Sequence, residues 1–351
     1  MSREFYIHYG CTQPWTKATE MYGAMTYDDV LLKQGSSTEI DSRSEPETTV
    51  KFGPYCLDTP IVTAPMDTVS GETMIRKMHE LGAIGSLPRG DLQTRLDLCE
   101  NLSTDGIPCL YAVGTKNGYE EARSIKERGG KIVLIDSAHG GMKTIELLAE
   151  EIKSRLDLFV VAGNITTYEQ AEQYKKHGVD IARVGVGAGS ACITRLKAGV
   201  GMPQLSAIFE TTEAGIYVIA DAGIRYPADV AKAIAAGANM VMIGGMFAGT
   251  EETPGEVRDG KKTFRGQASK SYMIDNGVEV INGHRTDEGI ETLVTARGSV
   301  QHEVYDILGG LRSAMSYVGA PDIARFQRDA QFIHISPNTQ AENRAHIVDR
   351  I

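Results

Sequence analysis

A single cysteine stands in the run RVGVGAGSACITRLKAGVG at 183–201, with Gly185, Gly187, Gly189 and Ser190 ahead of it and Thr194 and Arg195 behind. Glycines leave the backbone open around a side chain, and a thiol held there can deprotonate and attack an electrophile. Cys192 is the candidate nucleophile. It reads equally as a small apolar filler in a tight turn, since free cysteine packs well as a small hydrophobe. Two further stretches, DAGI at 221–224 and IGGM at 243–246, carry glycines that let main-chain N–H groups approach an anion. With the Ser190 hydroxyl they suit a phosphate; taken singly, they are tight turns. Asp136 and Asn164 can hydrogen-bond a ribose or an amide, or can cap helices. Glu288 follows Arg285 by three residues, a spacing that by itself describes a solvated ion pair.

These residues need elements to bring them together, and the chain has a rhythm from Pro60 onward. Short apolar runs at 60–66, 83–87, 108–114, 131–138, 158–164, 180–186, 216–223 and 238–245 alternate with helical patterns. Continuous apolar runs are what a parallel sheet covered on both faces demands. Eight strand–helix units without a break in composition predict an α/β fold, a (β/α)8 TIM barrel. An open doubly wound sheet fits less well, because no GxGxxG follows the first strand. Thr167 is placed to cap one helix and Pro227 to begin another. In a barrel, chemistry collects on the loops after the strands, where Met66, Arg89, Asp136, Asn164, Cys192, Asp221 and Gly244 all fall.

Residues 1–351 are read as one barrel domain. A polar insertion over 250–301 separates the eighth strand from its helix at 303–319, and such an insertion at the barrel mouth reads as a mobile flap, or as a plain surface hairpin. The tail, 321–351, is polar and is expected to run extended over a neighbouring surface. The formal charge of −10 argues against a nucleic-acid partner. No apolar run is long enough for a membrane span, and the N-terminus lacks the core of a signal peptide. Five cysteines with no CxxC pair fit a reducing compartment, so a soluble cytoplasmic protein is expected.

The stretches TYDDVLL, APMDTV, GNITT, GAGSACITR with AGVGMPQLSAI, IADAGIRYPADVAKAIAAGA, VMIGGMFAG and DILGGLRSAMSYVGA resemble the IMP dehydrogenase and GMP reductase family. The likeness spans Thr26 to about Ala320, and the family fold is itself a (β/α)8 barrel. The family loop usually reads GSxCTTR; here Ile193 replaces the first threonine. The resemblance implies that Cys192 attacks C2 of a purine mononucleotide. It implies substrate contacts at Met66, Ser190, Asp221 (to a ribose hydroxyl), Gly223, Gly244, Gly245, Gly266, Gln267, Ala268 and Arg285. Cofactor contacts fall on Asp136, Ser137, Ala138, Asn164 and Arg285. Backbone carbonyls of Gly187, Gly189 and Cys192 match a potassium site, and a homotetramer is the family's usual assembly.

Two activities share this machinery. The dehydrogenase oxidises IMP with NAD, hydrolyses the adduct with an Arg-Tyr pair on a long flap, and normally carries a CBS-domain pair after its second strand. The reductase converts GMP to IMP and ammonia with NADPH. This chain has a single helix between strands two and three and no Arg-Tyr pair in its flap. Phe264 stands where the dehydrogenase has a tyrosine, and Arg285 with Glu288 matches the reductase's RxxEG, whose glutamate partners the loop threonine, here Thr194. In the other direction, IDSAHGG (135–141), APMDTV and GTEETPGE look like the dehydrogenase, and GQAS (266–269) fits neither. The expectation is a GMP reductase with Cys192, Thr194 and Glu288 as catalytic residues. An IMP dehydrogenase lacking CBS domains is the alternative, and a non-catalytic nucleotide-binding barrel the remote one.

Overall fold

The computed structural model describes residues 23–277 and 284–339, together with 6–7, 11–12 and 342. Eight parallel strands form its centre: β1 (Ile61–Thr63), β2 (Gly85–Leu87), β3 (Cys109–Val113), β4 (Ile132–Asp136), β5 (Phe159–Ile165), β6 (Ile181–Val184), β7 (Tyr217–Asp221) and β8 (Met240–Ile243). They are hydrogen-bonded in the order β1-β8-β7-β6-β5-β4-β3-β2. Bonds from Ile84 N to Ile61 O and from Thr63 N to Ile84 O, both 3.2 Å, bring the last edge back to the first. The seam is reinforced by buried hydroxyls: Ser86 Oγ donates to the Thr63 carbonyl at 2.6 Å, and Thr63 Oγ1 lies 2.8 Å from Ser70 Oγ. The fold is the (β/α)8 barrel that the alternating runs predict.

Helices α1 (Glu72–Glu80), α2 (Leu92–Thr104), α3 (Gly118–Glu127), α4 (Lys143–Leu156), α5 (Tyr168–Lys176), α6 (Gln204–Glu213), α7 (Pro227–Ala235) and α8 (Val300–Val318) each follow one strand. Thr167 caps α5 in a reciprocal box with Gln170, and Pro227 opens α7, both as the sequence indicates. Helix α8 begins three residues before the expected 303. Glu252 reaches across to accept from Val300 N at 2.8 Å and from Ser299 Oγ at 2.5 Å, so the first turn is satisfied there. Strand β1 stops earlier than the apolar run 60–66, since Pro65 has no N–H to continue a ladder.

Every strand alternates between two cores. Leu110, Ala112, Ile132, Leu134, Val161, Ile181, Ile219, Met240 and Met242 fill the barrel interior. Their neighbours Tyr111, Val113, Val133, Ile135, Val160 and Ala182 pack outward against the helices. Both faces are dry, which is why the runs are apolar throughout. A hairpin, Val50–Phe52 with Tyr55–Leu57, closes the end at which the strands begin. Its Phe52 meets Phe159, the first residue of β5, edge-on at 5.7 Å. The opposite end stays open.

TYDDVLL forms a short turn capped by Thr26 and a strand, Val30–Leu32. That strand pairs antiparallel with Phe332–His334, which follows the helix Ile323–Asp329. This part of the tail therefore folds back onto its own barrel instead of running extended. Phe332 explains the course: it is buried edge-on against Phe209 of α6 at 5.5 Å. Most of the remaining tail, including three residues of AENR at 341–344, lies outside the described residues.

Leu134 is fully buried inside the barrel. Leu134→Ala is expected to cost about 2–5 kcal/mol, measured as a lower urea midpoint with an unchanged slope.

Candidate active site

Strand β6 ends at Val184, and the glycine-rich loop folds across the open mouth. Cys192 N donates to Gly189 O at 3.0 Å, a tight turn that brings the thiol to the cavity wall. A short helix, Thr194–Lys197, follows at once and places Thr194 Oγ1 3.2 Å from Cys192 Sγ. Cys192 is half-buried, not sealed in a core, so the turn-filler reading loses its support.

The 250–301 insertion contains an antiparallel hairpin, β9 (Lys261–Arg265) with β10 (Glu291–Thr295). Both of its ends are tied to the barrel, the base through Lys262 and the far end through Arg265 and Gln267. The Lys262 ammonium donates to the carbonyls of Thr250 (2.9 Å) and Thr253 (2.7 Å), and burial pulls its pKa below the usual lysine value. Arg265 pairs with Asp67 at 2.5 Å and Asp275 at 2.6 Å. Gln267 donates its amide to the Pro65 carbonyl. The far end of the hairpin lies against the cysteine loop as an added strand: Ile193 N donates to Glu288 O (2.8 Å) and Ile290 N to Ala191 O (2.9 Å). Gly289, between them, is required by space. A Cβ there would sit 2.9 Å from the main-chain nitrogen of Ser269. This docking puts Glu288 on the wall of the cavity that holds Cys192 and Thr194.

The two glycine turns close the other end of the same cavity. A Cβ on Gly245 would lie 2.5 Å from Ser190 Oγ, and one on Gly244 3.2 Å from Met66 Sδ, so both glycines keep a cradle open. Arg225 also lines this end, but its guanidinium is held bidentately by Asp28 (2.8 and 2.7 Å). An anion here would depend chiefly on main-chain N–H groups and Ser190.

A charge network forms part of the cavity wall and extends behind it to Asp136. Arg183 of β6 donates from Nε to Asp221 Oδ2 (2.7 Å) and from Nη1 to Asp136 Oδ1 (2.5 Å). Arg89 adds a bond to Asp136 Oδ2 at 3.2 Å, and Asn164 Nδ2 donates to Asp221 Oδ2 and to Gly185 O, both at 2.7 Å. Burial disfavours the guanidinium's charge, but Asp221 and Asp136 together outweigh that and raise its pKa above the ordinary arginine value. Asp136 and Asn164 thus serve neither as helix caps nor as isolated side chains.

The residues singled out from sequence separate into groups. Cys192, Thr194, Glu288, Met66, Ser190, Asp221, Gly223, Gly244, Gly245, Gly266, Gln267, Ala268, Asn164 and Ala138 line one cavity, as do Gly187 and Gly189. Asp136 and Ser137 are not on that wall, and Arg285 is exposed and away from it. Phe264 is buried and lines the cavity. The residue that sequence reasoning missed is Arg183. Its signal was a lone charge inside the apolar strand Ile181–Val184, which can be buried only if paired.

The cysteine loop offers backbone carbonyl oxygens, hard donors suited to a monovalent cation, although Gly189 O already accepts from Cys192 N. Among the described residues no group of three or more His, Cys, Asp and Glu could hold a metal ion. Among them also, no helix is long and apolar enough to cross a membrane.

The IMP dehydrogenase / GMP reductase domain family matches residues 24–96 and 99–346. The chain is 35% identical to the inosine-5'-monophosphate dehydrogenase of Helicobacter pylori strain J99 over 93% of its length and 73% of that protein. It is 32% identical to the enzyme of the same name from Cryptosporidium parvum, over 93% of this chain and 95% of the other. With that of Streptococcus pyogenes identity reaches 40%, over 68% and 52% respectively. The chain belongs to the IMP dehydrogenase / GMP reductase family, whose members are oxidoreductases that bind purine mononucleotides and use nicotinamide cofactors.

Arg183→Met leaves Asp221 without a cationic partner and Asp136 with Arg89 alone, and is expected to destabilise the fold by about 3–5 kcal/mol, with Arg183→Lys intermediate because an ammonium cannot fork to both; urea titration reads both. Gly289→Ala is expected to leave global stability nearly unchanged while limited proteolysis cuts the 261–295 segment faster.

Proposed function

We propose that this chain oxidises a purine mononucleotide at C2 through a covalent bond to Cys192, with IMP as substrate and NAD as electron acceptor. The observation that carries the reading is the Cys192–Thr194 contact of 3.2 Å in a cavity whose wall includes Glu288. Direction follows the relatives: proteins named inosine-5'-monophosphate dehydrogenase align over 93% of the chain. The strand end IDSAHGG at 135–141 agrees with them.

The Cys192 thiolate adds to C2, forming an Sγ–C2 bond as the C2–N3 π pair moves to N3, which takes up a proton. A nicotinamide held there would supply the redox chemistry as acceptor of the C2 hydride, the loss of which, with the N3 proton, restores the C2–N3 double bond. Asn164 and Ala138 would hold that cofactor, with Asp136, Ser137 and Arg285, none of them on the cavity wall, contributing beside them. Ser190, Gly223, Gly244 and Gly245 hold the phosphate, Asp221 the ribose, and Met66, Gly266, Gln267 and Ala268 the base. Release needs water at C2. Thr194 and Glu288 are positioned to take its proton while the Sγ–C2 bond breaks and its electrons return to sulfur. Carbonyls of Gly187, Gly189 and Cys192 would hold potassium and stiffen the loop. The working assembly in this reading is a cytoplasmic homotetramer.

A specific observation favours a second reading. The flap has no Arg-Tyr pair, and Phe264 replaces a tyrosine at the phosphate end. The same Thr194–Glu288 pair would then protonate departing ammonia from GMP, with NADPH returning a hydride to C2 to give IMP.

Absorbance of reduced cofactor separates them. NADH formation from IMP with NAD is expected; NADPH consumption on GMP, with no NADH formed from IMP, overturns the dehydrogenase direction. Tight nucleotide binding without any Cys192 adduct by mass spectrometry would overturn both. Glu288→Gln is expected to slow turnover about 10²–10⁴-fold while the adduct still forms, and Cys192→Ala to abolish both.

A further inference from the structure

Outside the cavity, the cysteine loop and the flap are joined by one more contact. The helix Thr194–Lys197 carries Thr194 at its first position and Lys197 at its last. The flap presents Asp287 and Glu288 side by side. Lys197 Nζ lies 2.9 Å from Asp287 Oδ1, and Thr286 Oγ1 lies 3.3 Å from the same oxygen. Two neighbouring segments are therefore set side by side, with Lys197 bonded to Asp287 on the outer side and Thr194 and Glu288 both lining the cavity on the inner. The main-chain bond from Ile193 N to Glu288 O, 2.8 Å, lies between the two.

We infer that Lys197 and Asp287 are positioning residues, an ion pair that holds the flap in the register where Glu288 shares the cavity with Cys192 and Thr194. Neither touches the cavity, and neither is a catalytic residue. Main-chain bonds from Glu288 N and Gly289 N to Ala268 O hold the segment within the flap, whereas its edge on the cysteine loop is only two bonds long, and so short an edge specifies register weakly. A charge pair at one end supplies the missing specification. Both partners are about one-third exposed, so the contribution is modest and sensitive to salt. The inference rests on the proposed chemistry only for its effect on rate; its effect on docking stands apart.

The test therefore reads docking first. Wild type, Lys197→Met, Asp287→Asn and the exchanged pair K197D/D287K are treated with iodoacetamide, and alkylation of the Cys192 peptide is followed by mass spectrometry. The single variants are expected to react about two- to fivefold faster than wild type, and the exchanged pair to return toward the wild-type rate. Added salt should speed wild type toward the single variants and leave those variants unchanged. With substrate, the single variants should lose a similar factor in kcat with little change in the nucleotide KM. Wild-type alkylation rates in the single variants, or failure of the exchange to restore protection, overturn the inference. Absence of turnover with either nucleotide would sink the proposed function and leave the alkylation result to decide this one.

Discussion

A guanidinium inside a barrel wall must be paired, and Arg183 is paired twice. Its two branches reach Asp221 at the end of β7 and Asp136 at the end of β4. Neither carboxylate could be as deeply buried without it, and Asn164 is held in turn by Asp221. One side chain in β6 thus fixes groups from β4, β5 and β7 relative to one another, and the loop that carries Cys192 leaves directly from that strand. The cost of burying the charge is offset only because both ends are met, which makes the arrangement nearly rigid.

The rest of the site divides between two kinds of structure. The barrel supplies fixed pieces: glycine turns after β7 and β8, the carboxylates, and the cysteine loop. The hairpin supplies Glu288 and Phe264; main-chain bonds join its far end to the cysteine loop, Arg265 and Gln267 tie that end to Asp67 and Pro65, and Lys262 ties its base to Thr250. In the proposed chemistry, bond formation at C2 draws on the fixed pieces, and the fate of the sulfur–carbon bond on what the hairpin brings.

Much of this was legible in the sequence because its causes are local. Eight apolar runs follow from strands buried on two faces, and Thr167 and Pro227 announce their helices by chemistry that acts within one turn. Cys192 and Thr194 are two residues apart, so their contact needed no knowledge of the fold. Arg183 stood out only as a lone charge in an apolar strand; its partners were not legible, since they are 47 and 38 residues away in sequence. The same holds for the tail: pairing of Phe332–His334 with Val30–Leu32 joins the two ends of the described fold, and a polar composition concealed it. Gln267 lines the cavity with its amide on the Pro65 carbonyl, and Arg285 is exposed and not among the lining residues. Side chains on a flap cannot be placed until its backbone is.

The hairpin wedged under the strands' beginnings, with Phe52 against Phe159, has a consequence for traffic. Among the described residues that end is plugged and the interior is filled, so the cavity that holds Cys192 opens only on the opposite face, the one the flap spans. Traffic to and from the thiol shares a single doorway, and the segment that brings Glu288 to the chemistry also borders the way in.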